Sequence, residues 1–171
     1  MKPNLQKGIT LVEMLVYVGI LVLVLGVIIN SFIVLSNSYL TIRTTQKLHG
    51  AGLSAVDRIN SELRGGVVLD DVNSTFGSHP GKVSITTAVG TTTLSVDELY
   101  IENGILVLDS DSTREGPLTP SDIIVSNLVF TRIDTSNGVA VKYDVTFEYV
   151  GVSATTSMTL HNTVVMRGAY Q

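Results

Sequence analysis

The chain has 171 residues, which leaves room for one membrane-length apolar segment and about one further domain. Its formal net charge is −4, and the imbalance lies beyond Arg64, where twelve carboxylates face five cations. An acidic soluble part argues against nucleic-acid binding, which needs a basic face. The absence of cysteine excludes a disulfide framework and a thiolate metal site.

Met1 to Gly8 reads as a short leader carrying Lys2 and Lys7, set apart from fold reasoning. From Gly8 to Leu35 the sequence is GITLVEMLVYVGILVLVLGVIINSFIVL, and the only charged side chain between Lys7 and Arg43 is Glu13. About twenty apolar residues suffice to cross a hydrocarbon core, so residues 9–35 are expected to form a transmembrane helix. A secretory signal peptide would have a shorter apolar core, about 7 to 15 residues, followed by small residues at the cut, and Asn30-Ser31 is a poor site for one.

Glu13 is the odd member of this run, because a carboxylate in hydrocarbon costs about 2.5 to 3.5 kcal/mol unless it is partnered or used. A cut after Gly8 would give Ile9 a free α-amine, and residues four apart share a helix face. Amine and carboxylate could then neutralise each other within one subunit or between neighbours.

The order basic leader, Lys7-Gly8-Ile9-Thr10-Leu11-Val12-Glu13, apolar helix resembles the processing site of type IV pilins and of type II secretion pseudopilins. The resemblance implies that prepilin peptidase cuts between Gly8 and Ile9 and methylates Ile9, which stands where the family usually has Phe. It also implies that Glu13 is the assembly carboxylate. It further implies an inner-membrane, single-pass protein with an exported C-terminal domain, which then enters a pilus or pseudopilus. The partners would be the peptidase, other pilin or pseudopilin subunits, the inner-membrane assembly platform and membrane lipid. The two leader lysines favour a cytoplasmic N-terminus, which fits that orientation. Many major pilins carry a proline at the position of Asn30, and its absence points toward a minor subunit.

Residues 36–64 are expected to continue the helix in amphipathic form. Leu48, Gly52, Val56, Ile59 and Leu63, with Ala55 beside them, recur at intervals of three and four and predict an apolar stripe. The whole helix would run about 55 residues, roughly 80 Å. Gly50 and Gly52 each weaken it by roughly 1 kcal/mol, and close approach to a sheet is the expected reason for both. Gly65-Gly66 is expected to stop it through a left-handed cap.

Residues 65–171 then read as an antiparallel β domain. Val67 to Leu69 is a candidate strand, followed by an irregular loop from Asp70 to Gly81. Lys82 to Thr86 and Thr91 to Ser95 are expected to pair around Gly90. Leu99 to Leu108 reads as a hairpin closed by Asn103-Gly104, a dipeptide suited to a type I′ turn. Asp109 to Ser121, with Pro117 and Pro120, reads as a loop. Ile123 to Ile133 and Val139 to Tyr149 flank Ser136-Asn137-Gly138, and Thr155 to Met166 is a last strand with alternating faces. The expected class is therefore α+β, a long helix covering one face of an antiparallel sheet. Tyr100 to Leu106, Leu118-Thr119 and Ile124 to Phe130 are similar to the soluble part of J-type minor pseudopilins.

No catalytic constellation stands out, so no enzymatic role and no cofactor are expected. His49, His79 and His161 fall in a helix, a loop and a strand, with no HExxH, GxSxG or phosphate loop. Asp109 and Asp111, with Glu115 and Asp122, are the weak candidates for a hard cation such as calcium, although they lack the EF-hand order and suit solvated turns better. Two functions remain open from sequence. One is a minor pilin or pseudopilin that assembles through its helix; the other is a single-pass, membrane-anchored β-sheet binding module, an adhesin or receptor outside any filament.

Overall fold

The computed structural model describes residues 10–89, 93–135, 138–151 and 156–167, so the leader, Gly8, Ile9, Gly90 and the Ser136-Asn137 turn lie outside the described residues. The element order is α1 (Leu11–Gly65), β1 (Gly66–Leu69), β2 (Val83–Val89), β3 (Thr93–Glu102), β4 (Ile105–Ser110), β5 (Thr113–Pro117), β6 (Ile123–Thr135), β7 (Gly138–Tyr149) and β8 (Thr156–Val165). The architecture is α+β, a long N-terminal helix with antiparallel sheets after it. The chain divides into two units, Met1–Arg43 and Thr44–Gln171.

In the first unit the described residues from Leu11 to Arg43 are all helix. From Thr10 to Arg43 every side chain is exposed, apolar ones included. Thr10 caps the helix: its hydroxyl accepts from the Glu13 N–H at 3.3 Å and its carbonyl from the Met14 N–H at 3.1 Å. A Thr followed three residues later by Glu is the sequence form of a capping box, and here the threonine half of that exchange is made.

In the second unit α1 buries Leu48, Gly52, Ala55, Ile59 and Leu63, the stripe expected from spacing, while Val56 sits half-buried at its margin. Full burial of a leucine or isoleucine contributes about 1.5 to 3 kcal/mol, so this stripe holds the helix to the sheets. The two glycines differ. A Cβ on Gly52 would fall 3.2 Å from Phe147 Cδ2 and closer still to the Met158 methyl, whereas Gly50 faces open space. Close approach therefore explains Gly52 and fails for Gly50.

The expected left-handed cap at Gly65-Gly66 is also absent. Neither glycine has positive φ, and the helix passes directly into β1 with no intervening residue. Gly66 is demanded by space instead, since a Cβ there would meet the Met166 methyl and lie 3.5 Å from Ile85 Cβ.

The strands form two sheets where one was expected. β1-β2-β3-β4-β5 is a five-stranded meander, and β6-β7-β8 is a separate three-stranded one. The chain leaves the first ladder after the Leu118 N–H donates to the Leu106 carbonyl; a turn at Pro120, whose carbonyl accepts from Ile123 N–H, redirects it into β6. Both sheets contribute to one core, with Val83, Ile85, Leu99, Leu106 and Leu108 from the first and Leu128, Phe130, Tyr143, Val145 and Phe147 from the second. The Phe130 and Tyr143 rings pack at 6.2 Å in a tilted pair.

The segment 70–81, expected as an irregular loop, lies along the open edge of β6. Gly77 N–H donates to the Phe130 carbonyl at 2.8 Å, Gly81 N–H to the Leu128 carbonyl at 2.8 Å, and Leu128 N–H to His79 Nδ1 at 3.0 Å. An edge that would otherwise offer unpaired backbone groups is thereby covered.

The Asn103-Gly104 hairpin is as expected, with φ of 52° and 79°. Its first arm, however, belongs to a ten-residue β3 that also absorbs the segment read as a separate strand near Thr91 to Ser95. The expected loop from Asp109 to Ser121 holds β5, joined to β4 by a turn in which Asp111 and Ser112 both have positive φ, 48° and 62°. Asp111 is held there by two bonds to Val96, its N–H donating to the carbonyl at 2.9 Å and its Oδ1 accepting from the N–H at 2.9 Å.

Candidate functional site

Glu13 stands in the first turn of α1, where the unpaired backbone N–H groups favour an anion. Its side chain is exposed, and its Oε1 accepts a hydrogen bond from the Tyr17 hydroxyl at 3.2 Å. Tyr17 lies four residues on, the spacing that places two side chains on one face. Among the described residues Glu13 makes no ion pair. The arrangement is a carboxylate with one oxygen fixed along the helix and the other open to a cation from outside this stretch. Neither Thr10 nor Tyr17 was singled out from sequence, although T-x-x-E and the Glu13/Tyr17 spacing were both readable there.

The cleavage pair Gly8 and Ile9 lies outside the described residues. The weak cation candidates are described, and they part company. Asp109 Oδ2 accepts from the Tyr100 hydroxyl at 2.7 Å, while its buried Oδ1 has no hydrogen bond and lies 3.6 Å from Arg114 Nε. Asp111 serves the β4–β5 turn. Glu115 pairs with Arg58 at 2.6 Å, and Asp122 pairs with Lys47. These carboxylates do not converge, and among the described residues no three metal-ligating groups gather. The hydrogen bond to Asp109 also pushes the Tyr100 phenol above its ordinary range.

The histidines are equally dispersed. His49 is exposed on the helix, His79 accepts from β6, and His161 pairs with Asp144 across β7 and β8. That imidazole contact holds the Asp144 carboxyl below the usual carboxylate range. Asp70 is lowered as well, chiefly by the Asn73 side-chain amide at 2.7 Å, with the Asn73 and Val72 N–H groups adding to it.

The geometry thus leaves a capped apolar helix with one hydrogen-bonded acid near its start. Residues 3–29 match the family model described as the prokaryotic N-terminal methylation motif. That motif spans Gly8, Ile9, Glu13 and Tyr17, and it supports a prepilin-type N-terminus. With a helix long and apolar enough to cross a membrane, it fits a membrane-anchored, single-pass protein. No curated protein and no solved structure matches the chain.

Proposed function

We propose that the chain is a minor pilin or pseudopilin, a structural subunit cut between Gly8 and Ile9, methylated at Ile9, and assembled through its helix into a type IV pilus or a type II secretion pseudopilus. On this reading residues 1–8 are the leader, 9–35 the membrane-spanning half of the helix, 36–64 its amphipathic half, and 65–171 the exported β domain. The observation that carries it is the pairing of the methylation motif with a single acid, Glu13, that has a hydroxyl partner and no cation of its own among the described residues. In hydrocarbon that acid is stabilised when an α-amine made by proteolysis comes within reach. Tyr17 would hold one oxygen before the amine arrives, which limits the cost of waiting in the membrane.

The test is the N-terminal mass of the protein made beside an active prepilin peptidase. Wild type should begin at methylated Ile9, Gly8→Leu should keep Met1 to Gly8, and Glu13→Ala should be processed yet stay out of filaments. Identical N-terminal masses for wild type and Gly8→Leu would defeat the proposal. If Glu13→Ala enters filaments normally, Glu13 is not the assembly carboxylate; if neither wild type nor variant enters filaments, the helix is only an anchor, as in an adhesin or receptor.

A further inference from the structure

From Thr44 onward the described residues include eight arginines and lysines, and six of them are ion-paired: Lys47, Arg58, Lys82, Arg114, Arg132 and Lys142. The two without an ion pair among the described residues, Arg64 and Arg167, line the same open groove of about 750 Å³ at the end of α1. Arg64 alone has an ordinary explanation, because a cation in the last turn of a helix interacts favourably with its dipole. That explanation covers neither Arg167 nor the amide that lines the groove with them.

The amide belongs to Asn60, and its orientation is fixed by a relay. Thr163 N–H donates to Asn162 Oδ1 at 2.8 Å, which makes Asn162 Nδ2 the donor to Asn60 Oδ1 at 2.9 Å. The buried Tyr143 hydroxyl donates to the same oxygen at 2.8 Å, and burial pushes that phenol above its ordinary range, so it remains a donor at neutral pH. With its oxygen occupied twice, Asn60 has only its two N–H donors left for the groove it lines. Two guanidinium groups and this amide make a wall rich in donors, with the Ser61 hydroxyl able to donate or accept, against one carboxylate, Asp57.

We propose that this groove binds a carboxylate presented by an acidic segment of a partner polypeptide. Paired guanidinium and amide donors match the two oxygens of a carboxylate. Arg64 and Arg167 less Asp57 leave one net positive charge, reduced by the negative end of the α1 dipole, which suits a single carboxylate better than a phosphate dianion. The acidic character of the rest of the domain disfavours polyanions such as nucleic acid. The site lies wholly within the second unit and does not depend on the membrane helix.

The test uses the full chain in detergent micelles, labelled with ¹⁵N and titrated with acetyl-Gly-Glu-Glu-Gly-amide, its Gln-Gln counterpart, or inorganic phosphate. The glutamate peptide should shift the Asn60 side-chain amide and the Arg64 and Arg167 Nε–H signals, and the glutamine peptide should not. Arg64→Gln with Arg167→Gln should weaken binding about tenfold or more, and Asp57→Asn, at an exposed position, should strengthen it several-fold. Asn60→Asp keeps the acceptor for Tyr143 and Asn162 but turns the groove-facing donors into an acceptor, and should abolish binding. Equal shifts from the glutamine peptide, unchanged binding in the double variant or in Asn60→Asp, or phosphate saturating the same signals at lower concentration would each overturn the proposal.

Discussion

The helix α1 belongs to two regions that solve one problem in opposite ways. From Thr44 to Gly65 its apolar side chains form a narrow stripe, and Leu48, Ile59 and Leu63 are fully buried by the chain's own sheets. From Leu11 to Arg43 apolar side chains surround the helix on all sides, and none is buried by this chain. One continuous helix runs through both, so the difference lies in what covers the side chains. A stripe needs a sheet, and an all-round apolar surface needs lipid or other helices. The same contrast holds for polar groups: Glu13 has one hydroxyl bond and no cation among the described residues, whereas Arg58, about four turns into the second region, holds both Glu62 and Glu115.

Variants that strike one region and spare the other would sharpen this contrast. The largest effect is expected from Glu13→Ala, which should lower filament incorporation about a hundredfold, in line with the 2.5 to 3.5 kcal/mol cost of an unpartnered membrane acid. It should leave the urea midpoint of the β domain unchanged, as read by tyrosine fluorescence. Phe130→Ala should do the reverse, costing about 3 to 5 kcal/mol of domain stability with membrane insertion intact, because Phe130 is fully buried against Tyr143. Equal loss of insertion and stability in either variant would erase the distinction.

Gly81→Ala comes next. Its Cβ would lie 2.9 Å from the Leu128 carbonyl, a backbone atom that cannot swing aside, so a loss of about 1 to 3 kcal/mol is expected. Hydrogen exchange should show the Leu128 amide losing protection first. The smallest effect is Asp70→Asn. The folded carboxyl sits below its ordinary value, so its contribution is present above about pH 4 and is lost as pH falls through the lowered value. Wild type and variant should therefore differ at pH 6 and converge near pH 2 in urea titrations. A constant gap across that range would contradict the Asn73-bonded geometry.

Much of this was readable in the residues. The stripe from Leu48 to Leu63 and the Asn103-Gly104 turn follow from periodicity and from the conformations those residues allow. Three features were hidden. β5 was missed because its turn uses Asp111 and Ser112 at positive φ, held by bonds to Val96 that no local pattern announces. The length of β3 was missed because Ser95 and Asp97 point inward while Leu94 and Val96 point outward, the reverse of the usual alternation. Asp97 is tolerated there because Ser95 and Ser110 donate to its Oδ1 at 3.1 and 2.6 Å. The division into two sheets depends on where ladders end, and segment 70–81 takes up the edge of β6 through the backbones of Gly77 and Gly81 and the His79 ring, long-range bonds that no local pattern announces. For the site, Glu13 was legible as the lone charge in an apolar run, while Tyr17 gains a role only from its hydroxyl, 3.2 Å from the acid.

The direct passage from Gly65 into Gly66 leaves no slack between helix and sheet. A tensile load on the last turns of α1 would reach the short β1 ladder at once, pulling in shear on Gly66–Thr87, Val68–Thr86 and Leu69–Ile85 together. With Met166 packed close to the Gly66 backbone, the junction behaves as a rivet that resists extension until several bonds yield in concert.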